Sequence, residues 1–267
     1  MTASGERLPA DLVVCADGIK SAVRCAVNGE PVEPVDTGDV AYRILVPAAP
    51  LLADPEMRHL VENAWAVHWM GPEGHAVGYP LHGGQLCIWR SEVDNAHLVT
   101  RFADWCPEVR KLCALTGTYL KWKLADFAQL GRWVHPAGRV ALLGDSSQGA
   151  AQATEDAATL AAALRAHDTM RAALAAYEAH RKPRAGYVAR NTRVLQEWLH
   201  LYDGPEKERR DELMRHDTSD NPVFWAHSAR RDWLFGQDAT ALTLDAIPAL
   251  PPIPHSEASV YKDRQDL

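Results

Sequence analysis

Two short apolar runs constrain this chain more than anything else in it. Asp11-Leu-Val-Val-Cys-Ala16 breaks at Asp17-Gly18, and Gly138-Arg-Val-Ala-Leu-Leu-Gly144 stops abruptly at Asp145. A strand that is apolar on both faces has no solvated side, so it belongs in a sheet covered by helices, which is a parallel sheet. The residues after each run agree with this. Ile19 to Val27 reads as the opening of a helix, and Gln148 to Leu164 is Ala-rich with apolar residues at helical spacing. The order strand, turn, helix therefore occurs twice.

The residues between the two runs read differently. Val40 to Val46 is a strand candidate, and a Pro-rich entry leads to a helix at about Asp54 to Glu62. From Ala64 to Arg90 the chain alternates polar and apolar and carries Gly-Pro and Gly-Gly turns, the pattern of hairpin-linked antiparallel strands. Arg101 to Leu112 reads as a closing helix. After the second run, Ala172 to Leu201 is helical with an interruption expected near Pro183 and Gly186, and the tail past Pro248 reads as loose. No internal repeat is present.

Length and composition exclude several classes of function. At 267 residues and 47% hydrophobic content, the chain can bury a core of one large or two modest domains. A net charge of -7 without a basic stripe speaks against nucleic acid, whose condensed counterions must be replaced by clustered cations. The run Arg181, Lys182, Arg184 reads as a solvated helix end. Five cysteines, an odd number without a C-x-x-C pair, suggest neither a disulfide framework nor a zinc knuckle and fit a reducing cytoplasm. Twelve scattered histidines show no metal-ligand spacing, so no metal is expected. The first ten residues lack an apolar segment, and no later window is long enough to span a bilayer, so neither secretion nor a membrane span is expected.

Chemistry concentrates at the two turns. Ala16-Asp17-Gly18-x-x-Ser21-x-x-Arg24 places a glycine, an acid and an arginine around a strand-to-helix junction, which suits a close-approaching backbone, sugar hydroxyls and a pyrophosphate. Read alone, it is equally an ordinary capped turn. Gly144-Asp145-Ser146-Ser147-Gln148-Gly149-Ala150-Ala151 sets an acid and unpaired helix-start amides together, where an anionic or carbonyl oxygen would sit. Its bland alternative is a plain N-cap. Glu155 and Asp156 are adjacent on a helix, so they do not face each other as a paired acid and base. Trp65, Trp69, Tyr79 and Trp89 line an aromatic pocket or simply fill a core.

Taken in order and separation, the two turns resemble the flavin-dependent aromatic-ring monooxygenases of the salicylate-hydroxylase type, built on the para-hydroxybenzoate-hydroxylase fold. Val40-Ala-Tyr-Arg43, Trp69-Met-Gly-Pro72, Gly78-Tyr-Pro80, Lys121-Trp-Lys-Leu124 and Trp133-Val-His-Pro-x-Gly-Arg-Val140 are similar to segments of that family. So are Leu201-Tyr-Asp-Gly-Pro205 and Trp233-Leu-Phe-Gly236, which carries the resemblance from about Arg7 to about Ala239. It implies an α/β (α+β) fold: a partial FAD-binding Rossmann-like domain, an inserted mostly antiparallel β-sheet substrate domain, and C-terminal helices. The implied boundaries are 1–30 and 128–170 for the two parts of the FAD-binding domain. Residues 31–127 form the sheet domain, 171–240 the helical region and 241–267 the tail. Implied cofactor-binding residues are Asp17, Gly18, Arg24, Arg43, Gly144, Asp145, Gln148, Gly149, Ala150 and Ala151. Arg43, beside the flavin, is the one side chain with a possible catalytic part. NADH or NADPH would reduce FAD, O2 would be activated, and a small aromatic substrate would be hydroxylated, with the hard chemistry belonging to the cofactor.

Two departures from the family pattern carry expectations of their own. The G-x-G-x-x-G turn that seats the FAD pyrophosphate occurs nowhere in the chain, and about 150 residues of the pattern lie outside it. Ser147 also runs straight into Gln148, where the family carries roughly eight further residues including two prolines. An uncovered apolar strand edge is expected to associate. Three readings stay open: a piece of a longer polypeptide, a chain completed by another polypeptide, or a non-catalytic remnant acting through protein contacts. An epoxidase on the same fold is a further alternative.

Overall fold

The structure is a computed structural model, and it describes residues 5–63, 65–81, 96–117 and 119–242. In chain order the elements are β1 (Val13–Cys15), α1 (Arg24–Asn28), β2 (Val35–Ile44), α2 (Ala48–Ala53), α3 (His59–Glu62), β3 (Val67–Gly71) and β4 (Gly74–Gly78). There follow α4 (Ala96–Arg101), α5 (Pro107–Leu115), β5 (Tyr119–Asp126), β6 (Val140–Leu142), α6 (Ala153–Ala166), α7 (Met170–Leu199), α8 (Pro205–Leu213) and α9 (Ser228–Phe235). The chain divides into two units, residues 1–35, 125–196 and 209–267 in one and 36–124 and 197–208 in the other. The fold is a mixed one of helices and small sheets.

In the first unit β1 and β6 pair in parallel, with Val13 opposite Val140, Val14 opposite Ala141 and Cys15 opposite Leu142. The other side of β6 meets a single antiparallel bridge, Val134 to Ala141. Ala141 and Leu142 are fully buried with Val27, Trp133, Leu174 and Tyr177, so β6 is the central strand of this core. β1 departs from the expectation of a buried strand. Only Cys15 is enclosed, and Val13 and Val14 are 47% and 42% exposed, because among the described residues β1 has a partner on one side alone.

Helix boundaries differ from the sequence expectation where local polar groups intervene. α1 begins at Arg24 rather than Ile19, since the Asp17 carboxylate accepts from the Ala22 amide and Ser21 Oγ accepts from the amides of Val23 and Arg24, which satisfies the entry without helix. The helix expected from Gln148 begins at Ala153. Gly149, at φ +89°, breaks the right-handed run, and two 3-10 turns, Gly144–Ser146 and Ala150–Gln152, lead in instead. No interruption occurs in α7: its 30 residues run through Pro183, which is exposed. The helix holds because its opposite face is anchored by buried Tyr177, Arg181, Arg184 and Ala185. Arg181 and Arg184 are 2% and 4% exposed, which overturns the reading of Arg181 to Arg184 as a solvated end.

In the second unit β2 pairs with β5, and β3 and β4 form an antiparallel hairpin with Trp69 opposite Ala76. The helix expected over Asp54 to Glu62 is two short ones, α2 and α3. Asp54 ends the first, its carboxylate accepting from the Glu56 amide at 2.9 Å and from Lys111 Nζ at 2.6 Å. The helix expected over Arg101 to Leu112 is also two, because Pro107 cannot continue a helix but suits the first position of α5. Trp69 packs against a core of Leu98, Val109, Cys113 and Tyr119 and donates Nε1 to Glu108 at 2.7 Å. Trp65 and Tyr79 are exposed at 72% and 60%, and Trp89 lies outside the described residues, as does the tail past Pro248. No helix among the described residues is long and apolar enough to cross a membrane.

Candidate functional site

The ends of β1 and β6 lie side by side because the strands are parallel, so the turns that leave them meet. Ser146 joins them. Its hydroxyl donates to Asp17 Oδ1 at 2.9 Å and accepts from the Gly18 amide at 3.0 Å, across 128 residues of sequence. Arg24, 1% exposed, closes the junction from behind: Nε donates to the Ser146 carbonyl at 3.0 Å, and Nη2 donates to the carbonyls of Gly18 and Asp145 at 3.2 Å each. Its guanidinium lies 3.9 Å from the centre of the Phe127 ring. Arg24 thus ties the backbone carbonyls of both turns to one planar group.

Asp17 is exposed and its carboxyl sits below the usual range. Partial burial works against this, but the hydroxyls of Ser21 and Ser146 and the Ala22 amide outweigh it. Asp145, half-buried, begins the second turn, and its backbone is held by Arg24. Gly144 lies at φ +63°, where a Cβ would come within 2.9 Å of Ala153 Cβ, so the position tolerates glycine alone. The Ser147 and Gln148 amides both donate back to the Gly144 carbonyl, at 2.9 and 2.8 Å, tightening the turn.

Past the turn, Gln148 is 6% exposed and its side-chain oxygen has no hydrogen-bond partner among the described residues. Gly149 and Gly18 each have a positive φ and open space where a Cβ would stand. The first amides of a helical segment have no partner inside it, and Ala150 and Ala151 hold those positions. Acceptors (Asp17, Asp145) therefore stand beside bare backbone (Gly18, Gly149), an unsatisfied buried amide (Gln148) and a helix start. This set fits a ligand that carries both hydroxyls and an electron-rich edge.

No family model matches the chain. It is 34% identical over 238 residues to the FAD-dependent monooxygenase atnJ of Arthrinium sp, covering 79% of this chain and 56% of that protein. It is 34% identical over 253 residues to the 3-amino-4-hydroxybenzoate 2-monooxygenase of Streptomyces cremeus, covering 88% and 60%. Among solved structures, a salicylate hydroxylase substrate complex superposes with a TM-score of 0.68 at 26% identity, covering 92% of this chain and 67% of that one. The chain is a homologue of the FAD-dependent aromatic-ring monooxygenases. It spans a little under two thirds of the length of these curated relatives.

In this monooxygenase homologue the structure brings together Asp17, Gly18, Arg24, Gly144 and Asp145, with Gln148, Gly149, Ala150 and Ala151 following directly along the chain. Arg43 lies on β2 in the other unit, with its side chain exposed. Sequence reasoning missed Ser146, the hydroxyl that joins the turns, and a buried charge network behind them. Asp156, fully buried, accepts from the Gly144 amide at 2.9 Å and from Arg181 Nε at 2.7 Å. Arg181 also donates to Glu155 at 2.7 Å and to the Gln152 side-chain oxygen at 2.8 Å. Glu155 and Asp156 do not face each other, yet both reach the one guanidinium. Burial pushes Asp156 up, opposed by Arg181 and the Gly144 amide; burial of Glu155 is outweighed by Arg184 and Arg181, which hold it down. The signal for the network was available: Asp156, Thr159, Leu160 and Ala163 share one buried helical stripe, on which an acid requires a partner.

Proposed function

We propose that this chain is the flavin-facing part of an FAD-dependent monooxygenase that uses NADH or NADPH and O2 to hydroxylate a small aromatic substrate in the cytoplasm. The observation that carries the reading is the junction of the Asp17-Gly18 and Gly144-Asp145 turns through Ser146 and Arg24. FAD when bound would supply the oxygen chemistry. The residues of this chain bind and orient. Asp17 and Asp145 would accept hydrogen bonds from ribose and ribityl hydroxyls, and Gly18 and Gly149 let the ligand approach the backbone. Gln148 and the amides of Ala150 and Ala151 would face the polar edge of the ring, where a helix start favours negative charge. Arg24 sets the spacing of the two turns, and Arg43 keeps the part near the flavin that the resemblance implies for it. The unit of residues 36–124 and 197–208 is read as the substrate-facing part, and the other unit as the cofactor-facing part.

The relatives' shared names and the fit to the salicylate hydroxylase structure support this reading, and two buried unpaired thiols, Cys15 and Cys113, agree with a reducing compartment. The test is to titrate the purified protein with FAD. Uptake seen as a perturbed flavin spectrum, with aromatic compounds then stimulating NAD(P)H oxidation, is the expected result. A protein that stays colourless at saturating FAD overturns the proposal in favour of a non-catalytic remnant.

A further inference from the structure

We infer that Asp156 is a positioning residue for the Gly144-Asp145 turn, held in place by a relay of charged side chains that reaches α9. The relay runs bond by bond. The carbonyls of Trp233 and Leu234 on α9 accept from Arg184 at 3.2 and 2.9 Å, and the Arg184 guanidinium stands 4.3 Å from the Trp233 ring centre. Arg184 donates to both Glu155 oxygens, at 2.7 and 3.2 Å. Glu155 accepts from Arg181, Arg181 donates to Asp156, and Asp156 accepts the Gly144 amide. All of these groups lie in the first unit.

The geometry sets Asp156 apart from a simple ion pair. One carboxylate oxygen takes the arginine and the other takes the backbone of the turn, so both oxygens must be acceptors. The position of Gly144 is demanding, at φ +63° against Ala153, and the amide bond to Asp156 is what fixes it from the helix side. The arginine in turn is fixed by three acceptors on α6 and its lead-in turn, Gln152, Glu155 and Asp156. A preorganised turn of this kind presents the Asp145 carboxylate at one place rather than several. The inference rests on the proposed function for its link to FAD, but not for its link to the turn.

Asp156→Asn discriminates. An amide offers one acceptor only, so with its oxygen turned to Arg181 its NH2 group meets the Gly144 amide and the bond to the turn is lost. Hydrogen exchange is measured without flavin by NMR at the resolved amides of residues 143–149, and on peptides from the rest of the unit, together with melting and FAD affinity. The expected result is exchange of the Gly144 amide faster by about tenfold with the other peptides little changed, and FAD binding weakened by about tenfold. Arg181→Lys, which keeps the charge but not the three-point geometry, should move the same amide in the same direction. Thr159→Val, on the same helix as Asp156, removes only the bond from Thr159 to the distant Ala239 carbonyl and should not. The inference is overturned if exchange rises uniformly across the unit, if Thr159→Val has the same effect on the turn, or if the wild-type Gly144 amide is already unprotected. Failure of the wild-type protein to take up FAD rejects the proposed function, and the exchange result still decides the role of Asp156.

Discussion

At the scale of single residues, the turn between β6 and α6 depends on a glycine and a hydroxyl that do different work. Gly144 is there for its backbone, and Gly144→Ala combines a left-handed φ with a Cβ contact of 2.9 Å. We expect it to destabilise the protein by about 2 kcal/mol, measured by denaturant unfolding, whereas Gly149→Ala meets open space and carries the φ penalty alone, about 1 kcal/mol. Gly144, Asp145, Asp17 and Gly18 were legible in the sequence because a glycine or an acid that ends an apolar run marks the point where the strand must turn. Arg181 and Arg184 were not. In one dimension they read as a basic end of a helix; only the fold shows that Glu155 and Asp156, 25 to 29 residues earlier, stand opposite them. Arg24 was legible as a residue of the site, but its turn inward toward three carbonyls was not, since nothing local to Arg24 marks the second loop as its partner.

At the scale of elements, α7 carries a proline that its stability does not need. Pro183 lacks the amide that would bond to the Ala179 carbonyl, and it is exposed. Pro183→Ala is expected to stabilise the protein by about 1–3 kcal/mol in denaturant unfolding, without change to the bonds of Arg181 and Arg184. The sequence marked this site as an interruption because propensity is local, whereas the buried face of α7 is held by long-range contacts.

The β3–β4 hairpin offers a pH-dependent contact. His75 Nδ1 and His200 Nε2 stand 2.7 Å apart, which requires that at least one ring nitrogen lack a proton. Burial first, and then His75, pushes His200 down to about 4, with Asp39 pulling the other way; His75 is lowered by burial and by His68. Below its ordinary value of 6.5 the unfolded histidine takes up a proton that the folded one refuses until about 4, so stability present above pH 6.5 is lost across that window. Melting temperature against pH should therefore fall between 6.5 and 4, and His200→Gln should flatten that part of the curve.

At the scale of the whole molecule, the two-strand parallel pairing leaves Val13 and Val14 open on β1. An apolar edge of this kind pairs with other chains. Val14→Lys is expected to lower concentration-dependent association in light scattering while shifting stability by no more than about 0.5 kcal/mol. A fold class of parallel strands and helices interrupted by antiparallel strands was legible from the change of pattern after residue 40, because periodicity reports which faces are covered. The exposure of β1 was legible only through the family pattern, in which the segment carrying G-x-G-x-x-G supplies the neighbouring strand; the apolar run by itself says that a strand ought to be covered and not by what.

The bond from Ser146 to Gly18 spans 128 residues, and the whole of residues 36–124 lies inside the loop it closes. Loop closure of that length is entropically late. During synthesis, the first turn keeps its local bonds from the Ala22 amide to Asp17 and from Arg24 to the Gly18 carbonyl, but those to Ser146 and Asp145 wait until the far strand has left the ribosome. The joined geometry of the two turns is therefore acquired only after the whole of residues 36–124 has been made.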